Sequence, residues 1–434
     1  MNGPTRLACC LCGLLLLAAS CGKKEDKPRD ESFIEAGAPV KISDLTLPGI
    51  VRDSEGALIV TAFIHSTFPS ATEARDAIAV FRSEDKGATW EQVSTVPSFV
   101  TYGVWGYDLA IDESDSLYIT WVAALYEPDS PQPFKAIMFS RSDDGGFSWT
   151  EPVRASDATT GQRRNPVIAA GGGNVYIAWL DGPDGRKTAT EDVFFASSTD
   201  WGDSWSADTC LEIDLGAKDS ASGEPSLCVA ADGTVYCAYF SMRKAGNRGK
   251  PMAGFFLATS QDRGRSFSTS SHEAGVLRGL ALVQKKNKLY LAAVHIKGIK
   301  SISTAETSQE IHLYVSDDGG EEWGKPVRID DDPARERKGN LKLAVAGRQT
   351  LIACWDDARG GVYMAASIDD AESWGKNVKV AEPSRVGITP LDVAANESKG
   401  YFYLAVGDVR KGPGDATYLV TGRACRCDLE APED

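Results

Sequence analysis

The sequence predicts an all-β fold, one closed array of small antiparallel sheets. Three observations predict it. The pattern Ser-x-Asp-x-Gly-x-x-Trp reads at residues 83–90, 142–149, 198–205 and 316–323, with Phe267 for Trp at 260–267 and Ala371 for Gly at 367–374. The aspartates Asp85, Asp144, Asp200, Asp262, Asp318 and Asp369 recur every 51 to 62 residues. A period of that size means like units, each too small to bury a core alone. The chain is also rich in Gly (42 residues) and in short strand-like apolar runs, which suits an all-β architecture.

Each element of the repeat has a physical reading. Ser and Asp side chains accept hydrogen bonds from nearby backbone N–H groups and tighten a turn. Gly permits positive φ there, and the aromatic packs back between strands. A strand-like run precedes each copy, such as Ala77-Ile-Ala-Val-Phe81 or Ile311-His-Leu-Tyr-Val315. A short outer strand follows several, such as Pro152-Val-Arg or Pro326-Val-Arg. Each copy is therefore a hairpin turn. Six such copies resemble the Asp box, or BNR repeat, of the sialidase superfamily of β-propellers. In that family the boxes lie away from the active-site face, so they speak for fold and hardly for chemistry.

At the start, Arg6 precedes an apolar run through Leu14-Leu-Leu-Leu17 and then Ala18-Ala-Ser-Cys21. This reads as a secretory signal over residues 1–20, too short to span a bilayer as a helix. Small residues directly before Cys resemble the bacterial lipobox, which implies cleavage before Cys21, acylation of its thiol and firm attachment to a membrane. Residues 21–36 read as the lipidated Cys and a charged, solvated tether. Residues 37–427 form the propeller, and 428–434 an acidic tail. The expected location is the bacterial cell envelope, facing the periplasm or on the outer membrane surface, and the expected state is a monomer.

The formal charge of −15 argues against nucleic acid, whose phosphates need a basic surface. Of ten cysteines, Cys9, Cys10 and Cys12 leave with the signal. Cys228 and Cys237 flank an Asp232-Gly233 turn. Counted as a two-residue hairpin, that turn sets them opposite each other, so they could pair, which export permits. Two small apolar core side chains are the other reading. Cys425-x-Cys427 lacks companion zinc ligands. No metal spacing emerges and no cofactor is expected.

Inner hairpins read at residues 48–63, 108–122, 166–180, 225–240, 280–294, 341–355 and 391–406. The last unit has a third strand at 417–421 but no Ser-x-Asp turn and no outer strand. Pro39-Val-Lys-Ile-Ser43 resembles the outer strands of other units, so it is expected to close the last sheet and remove the exposed edges of the array. This predicts seven blades, with six as the fallback. Sialidases have six.

The resemblance implies a chemistry. Sialidases grip the substrate carboxylate with three arginines, since guanidinium forks pair bidentately with it. They attack with a Tyr beside a Glu and use an Asp as acid/base. Gly223-Glu-Pro-Ser226 looks like the segment bearing the Glu, which makes Glu224 a candidate, and Arg243 stands about where the second arginine would follow. Glu73 and Asp76 are both open as the acid/base. An inherited structural ion pair is the other reading of Glu224 and Arg243. Elsewhere the pattern departs. Thr46-Leu-Pro48 stands where the first arginine should, Ser308, Gln309 and Glu310 where the third should, and Lys338-Gly-Asn-Leu341 where the Tyr should. Each charged hydrogen bond contributes roughly 1.5–3 kcal/mol, so affinity for a sialoside should fall by orders of magnitude.

Further candidates for ligand contact at inner-strand ends are Trp105, Tyr107, Arg163, Arg164, Asp181, Asp356 and Arg359. Aromatic rings beside charged groups suit sugars, although packing between blades is the other reading of Trp and Tyr there. The expected function is a membrane-anchored propeller that binds a glycan or protein partner. The alternatives are an exo-sialidase or related hydrolase of acidic sugars, and an envelope assembly scaffold.

Overall fold

The computed structural model describes residues 33–64, 77–97, 104–125, 134–157, 161–182, 191–212, 220–243, 252–297, 308–382, 391–396, 400–408 and 416–425. These are strands and connections with no helix, so none of them forms a helix long and apolar enough to cross a membrane. Cys21, Glu73, Asp76, His65 and Cys427 lie outside the described residues.

Seven antiparallel sheets are present. Their inner strands are Thr46–Arg52, Val104–Ile111, Arg164–Gly171, Ser220–Val229, Leu277–Lys285, Lys338–Val345 and Leu391–Ala395. Six sheets have four strands in sequence order from inner to outer. The seventh takes strands from both ends of the chain. Val40–Ser43 pairs with Ala416–Ala424 in the register Val40↔Leu419 and Ser43↔Thr417, which is the expected closure. A further strand, Ile34–Ala36, pairs with the far end of the same strand. It begins within the segment read as tether, because Ile34 is apolar and packs into the core beside Phe33.

Seven hydrophobic cores lie at the seven seams between consecutive blades. The last joins Ile50, Val60 and Phe81 of the first blade to Tyr403, Ala405 and Leu419 of the seventh. Trp121, Trp179 and Trp355 are fully buried in these seams. They are packing residues.

The six Ser-x-Asp turns link third strands to outer strands. In each, the Ser Oγ donates to the Asp Oδ1 two residues on, at 2.7–2.8 Å. That same Oδ1 accepts the backbone N–H four residues after the Asp. The turn aromatic reaches the neighbouring blade: Trp205 meets Phe139 edge-on at 5.1 Å, Phe267 meets Phe195 at 4.8 Å, and Trp323 meets Phe255 at 5.2 Å. The turn is thus a clasp between blades.

Of the two readings of Cys228 and Cys237, the core one holds. The turn after Val229 is longer by one residue than a two-residue hairpin, because Val229 pairs with Val235 and Ala230 N–H donates to Thr234 O. Cys237 therefore opposes Leu227, and Cys228 opposes Tyr236. Alternate residues face opposite sides of a strand. Cys237 accordingly enters the core between blades three and four, and Cys228 packs against the core between four and five. Both are thiols, which corrects the disulfide option.

Candidate functional site

At the end of the barrel opposite the Ser-x-Asp turns, six of the seven inner strands carry a β-bulge, between Thr46/Gly49, Val104/Tyr107, Arg164/Val167, Gly223/Ser226, Arg278/Leu280 and Gly339/Lys342. A bulge bends its strand and re-aims the side chains beside it. Five bulges hold a residue at positive φ: Gly106, Asn165, Glu224, Gly279 and Asn340. Gly and Asn tolerate that conformation, whereas Glu does so at a cost of about 1 kcal/mol. Glu224, at φ +41°, breaks the local rule.

Beyond the bulges runs a ring of equivalent positions. Gly49, Asp108, Val167, Ser226, Ala281, Lys342 and Asp392 each oppose a small second-strand residue, Thr61, Thr120, Ala178, Ala238, Ala292, Cys354 or Ala405. Three of them accept a backbone N–H from the next blade: Asp108 from Ile168 at 2.9 Å, Ser226 from Leu282 at 2.9 Å and Asp392 from Ile50 at 3.0 Å. Burial pushes the Asp108 carboxyl up to about 6; Lys342 opposes that shift and Asp392 adds to it.

The ring of bulges encloses a cavity of ≈ 430 Å³, and a neighbouring one of ≈ 200 Å³ that includes Asp108 and Asp392 shares Tyr107, Asn340 and Lys342 with it. Glu224, Arg278, Arg337, Lys338 and Lys342 line the upper cavity. Lys338 is committed to the fold: it is fully buried, and its Nζ donates to Asp332 at 3.0 Å and to the Glu336 carbonyl at 2.9 Å. Arg337 lies 3.6 Å from Asp356 and is 40% exposed, and Lys342 lies 3.1 Å from Asp392. Among the described residues, neither the Glu224 nor the Arg278 side chain forms a hydrogen bond or ion pair, although both residues line the cavity. A carboxyl group and a guanidinium left unpaired in a cavity wall are available to a ligand.

The structure places the sequence candidates as follows. Glu224 and Tyr107 line the cavity. The Tyr107 hydroxyl donates to the Thr61 carbonyl at 3.1 Å, and burial raises its pKa well above the usual phenol range. Asp356 lies on the second strand opposite the cavity-lining Gly339, against Arg337. Arg243 pairs with Ser220 along the strand, three positions out from Gly223. Trp105 lies on the second inner strand; the side chains of these last two lie outside the described residues.

Arg163 is fully buried inside the wall. It lies 3.3 Å from Asp181 and 3.8 Å from Asp208, and it donates to the Lys135 carbonyl, so it ties blade two to blade three. Arg164 pairs with Glu191 at the surface. Arg359 pairs with Asp357 at 2.8 Å and stacks on Tyr363 at 4.0 Å. Asp181 and Arg359 are thus held by partners within the protein.

Sequence reasoning missed Arg278, Arg337, Lys342, Asp108 and Asp392. A signal for them exists in the recurring triplets Trp105-Gly-Tyr107, Arg164-Asn-Pro166, Gly223-Glu-Pro225, Arg278-Gly-Leu280 and Gly339-Asn-Leu341. Superposing these marks the bulges and the wall residues beside them.

Among solved structures, the fold is similar to an α-L-arabinanase of Penicillium chrysogenum complexed with arabinobiose (12% identity, TM-score 0.52, covering 90% of this chain and 99% of that one). It is similar to an α-L-arabinofuranosidase of Fusarium graminearum (12%, 0.53, 89% and 98%) and to the polysaccharide lyase Uly1 (11%, 0.56, 91% and 100%). At such identities the likeness is one of fold. No curated protein matches the chain by sequence. The BNR repeat-like domain matches residues 115–389, more than half of the chain, and with seven blades clasped by recurrent turns around a cavity this protein belongs to the BNR repeat-like domain family.

Proposed function

We propose that the central cavity binds an acidic glycan. The observation that carries this reading is the convergence of Arg278, Arg337 and Lys342 with the carboxylate of Glu224 in one cavity wall. Guanidinium groups recognise a sugar carboxylate or sulfate bidentately. A carboxylate and the side-chain amides of Asn165 and Asn340 suit hydroxyl groups. Glycan-acting proteins such as the arabinanase and the polysaccharide lyase share the fold, which supports a sugar over a protein partner.

Binding without hydrolysis is favoured by the state of Tyr107, whose proton is held against the Thr61 carbonyl and whose pKa is raised. Lys342 and Asn340 occupy the blade from which the sialidase resemblance would supply the nucleophile. The test is a glycan array followed by titration calorimetry on the wild type and Arg278→Ala. Retention of uronate-bearing or sulfated glycans, lost in the variant, supports the reading. Retention of neutral glycans alone sinks it. A fluorogenic sialoside with Glu224→Gln as control reads hydrolysis separately.

The same proposal places the propeller on an envelope membrane through acylated Cys21. In support, Ile34–Ala36 joins blade seven beside Gly422 and Ala424, at the end opposite the cavity. A tether entering there leaves the cavity facing away from the membrane. Loss of lipid labelling and release of the protein in Cys21→Ser is the expected outcome.

A further inference from the structure

Just outside the cavity, blade five carries a cluster of charges that the binding reading does not use. Arg278 pairs across the sheet with Val294, and Val294 with Ile311. The next row runs Leu277, His295, Glu310. Glu310 therefore lies two strands out from the cavity wall, about 10 Å at the usual strand spacing.

Its carboxylate is only 4% exposed and gathers cations. Arg335 Nε lies 2.8 Å away, Arg328 Nη1 3.8 Å, and Lys297 Nζ is in direct contact. His312 Nε2 is 3.2 Å from the same carboxylate. Arg328 also pairs with Asp330 at 2.8 Å. Three permanent cations thus surround Glu310, while Asp330 is shared between Arg328 and Lys338. Arg335 and Lys297 keep about half their side chains in solvent, 48% and 52%.

The cluster is fixed in place and continuous with the cavity. The segment before the sixth inner strand is pinned by Asp332, which accepts the N–H groups of Ala334 and Glu336. Gln309 N–H donates to the Arg335 carbonyl at 2.9 Å, and Gln309 Oε1 accepts the Lys338 N–H at 2.8 Å. Arg335 is held at φ +55°, a strained choice for a long side chain that these bonds over-determine. Arg337 is two residues on, at most about 7 Å along an extended chain, and it lines the cavity.

Resting on the acidic-glycan reading, we propose that the ligand is a polymer: an acidic polysaccharide end sits in the cavity, and the next sugars run outward over blade five, where Arg335 and Lys297 hold further anionic groups. A monosaccharide site would need only the cavity cations. In a chain of net charge −15, two pinned, half-exposed cations leading away from the cavity suit a repeating anion.

The test uses α-1,4-linked oligogalacturonates of one to six residues, titrated at two ionic strengths against wild type, Arg278→Ala, Arg335→Ala and Lys297→Ala. Wild-type affinity is expected to rise with length. Each outer variant should bind the longer members about tenfold more weakly, the loss of one charge-assisted contact, and the monomer as before. Arg278→Ala should weaken every length. Affinity that does not rise with length, or outer variants that lose monomer and hexamer equally, overturns the polymer inference and leaves the cavity reading standing. If no member binds the wild type, the cavity reading falls for this sugar class and the polymer inference with it. Circular dichroism confirms folding, and Lys297→Ala keeps the test valid if Arg335→Ala disturbs the linker.

Discussion

Lys342 Nζ lies 3.1 Å from Asp392 Oδ1, while Asp392 Oδ2 accepts the N–H of Ile50 at 3.0 Å. Three blades, the sixth, seventh and first, therefore meet at one carboxylate, at the seam where the two ends of the chain close the ring. Asp108 repeats the motif with Ile168, but without a direct cation among the described residues. Burial above all sets how Asp108 responds to pH, with Lys342 opposing the upward shift and Asp392 adding to it.

The carboxyl of Asp108 is pushed up to about 6, above its unfolded value. The folded state therefore binds a proton more readily between about pH 4 and 6, and the contribution of this group to stability rises as pH falls through that window. Asp108→Asn keeps an acceptor for Ile168 N–H and removes the charge. It is expected to match or exceed wild-type stability at pH 7, by on the order of 1 kcal/mol, and to lose part of any gain between pH 7 and 5. His295, held down to about 4 by burial, acts with the opposite sign in both proteins and cancels in the comparison. Thermal melts of both at pH 7 and 5 check this.

Glu224 is strained in its bulge, where Asn165 and Asn340 occupy matching positions at ease. Glu224→Asn should therefore raise stability by about 0.5–1 kcal/mol while weakening glycan binding. Urea unfolding beside titration calorimetry reads both. A destabilised variant would show that the carboxylate serves the fold.

The glycine of each clasp is set by its neighbour. A Cβ on Gly202, at φ +92°, would lie 2.0 Å from the Phe139 ring. Gly202→Ala should cost about 2–4 kcal/mol from backbone strain and overpacking together, measured by urea unfolding. Ala371 already takes this place in blade six, at φ +74°. Ala371→Gly relieves strain of about 1 kcal/mol and removes one buried methyl of similar value, so it should be close to neutral.

The thiols of Cys228 and Cys237 face different cores. Alkylation of the denatured, unreduced protein followed by peptide mapping should find both modified. A linked peptide pair would contradict the hairpin register.

The sequence determined the number of units, the place of each hairpin and the closing role of Val40–Ser43, because these rest on local signals: turn residues that need particular hydrogen bonds, alternating apolar runs and a steady period. The Gly223-Glu-Pro-Ser226 segment was legible through its resemblance to a family segment, although the strand that holds it begins earlier, at Ser220. Tertiary structure decided the rest. Arg278, Arg337 and Lys342 come from two blades and from strands with little likeness to one another, and only the bulges and the closure of the ring turn them into one wall. The burial of Arg163, the opposite facings of Cys228 and Cys237, and the gathering of cations around Glu310 depend on a one-residue register or on contacts between distant segments. A one-residue slip reverses the face of every side chain in a strand. Composition and spacing do not encode which face a neighbouring blade will cover.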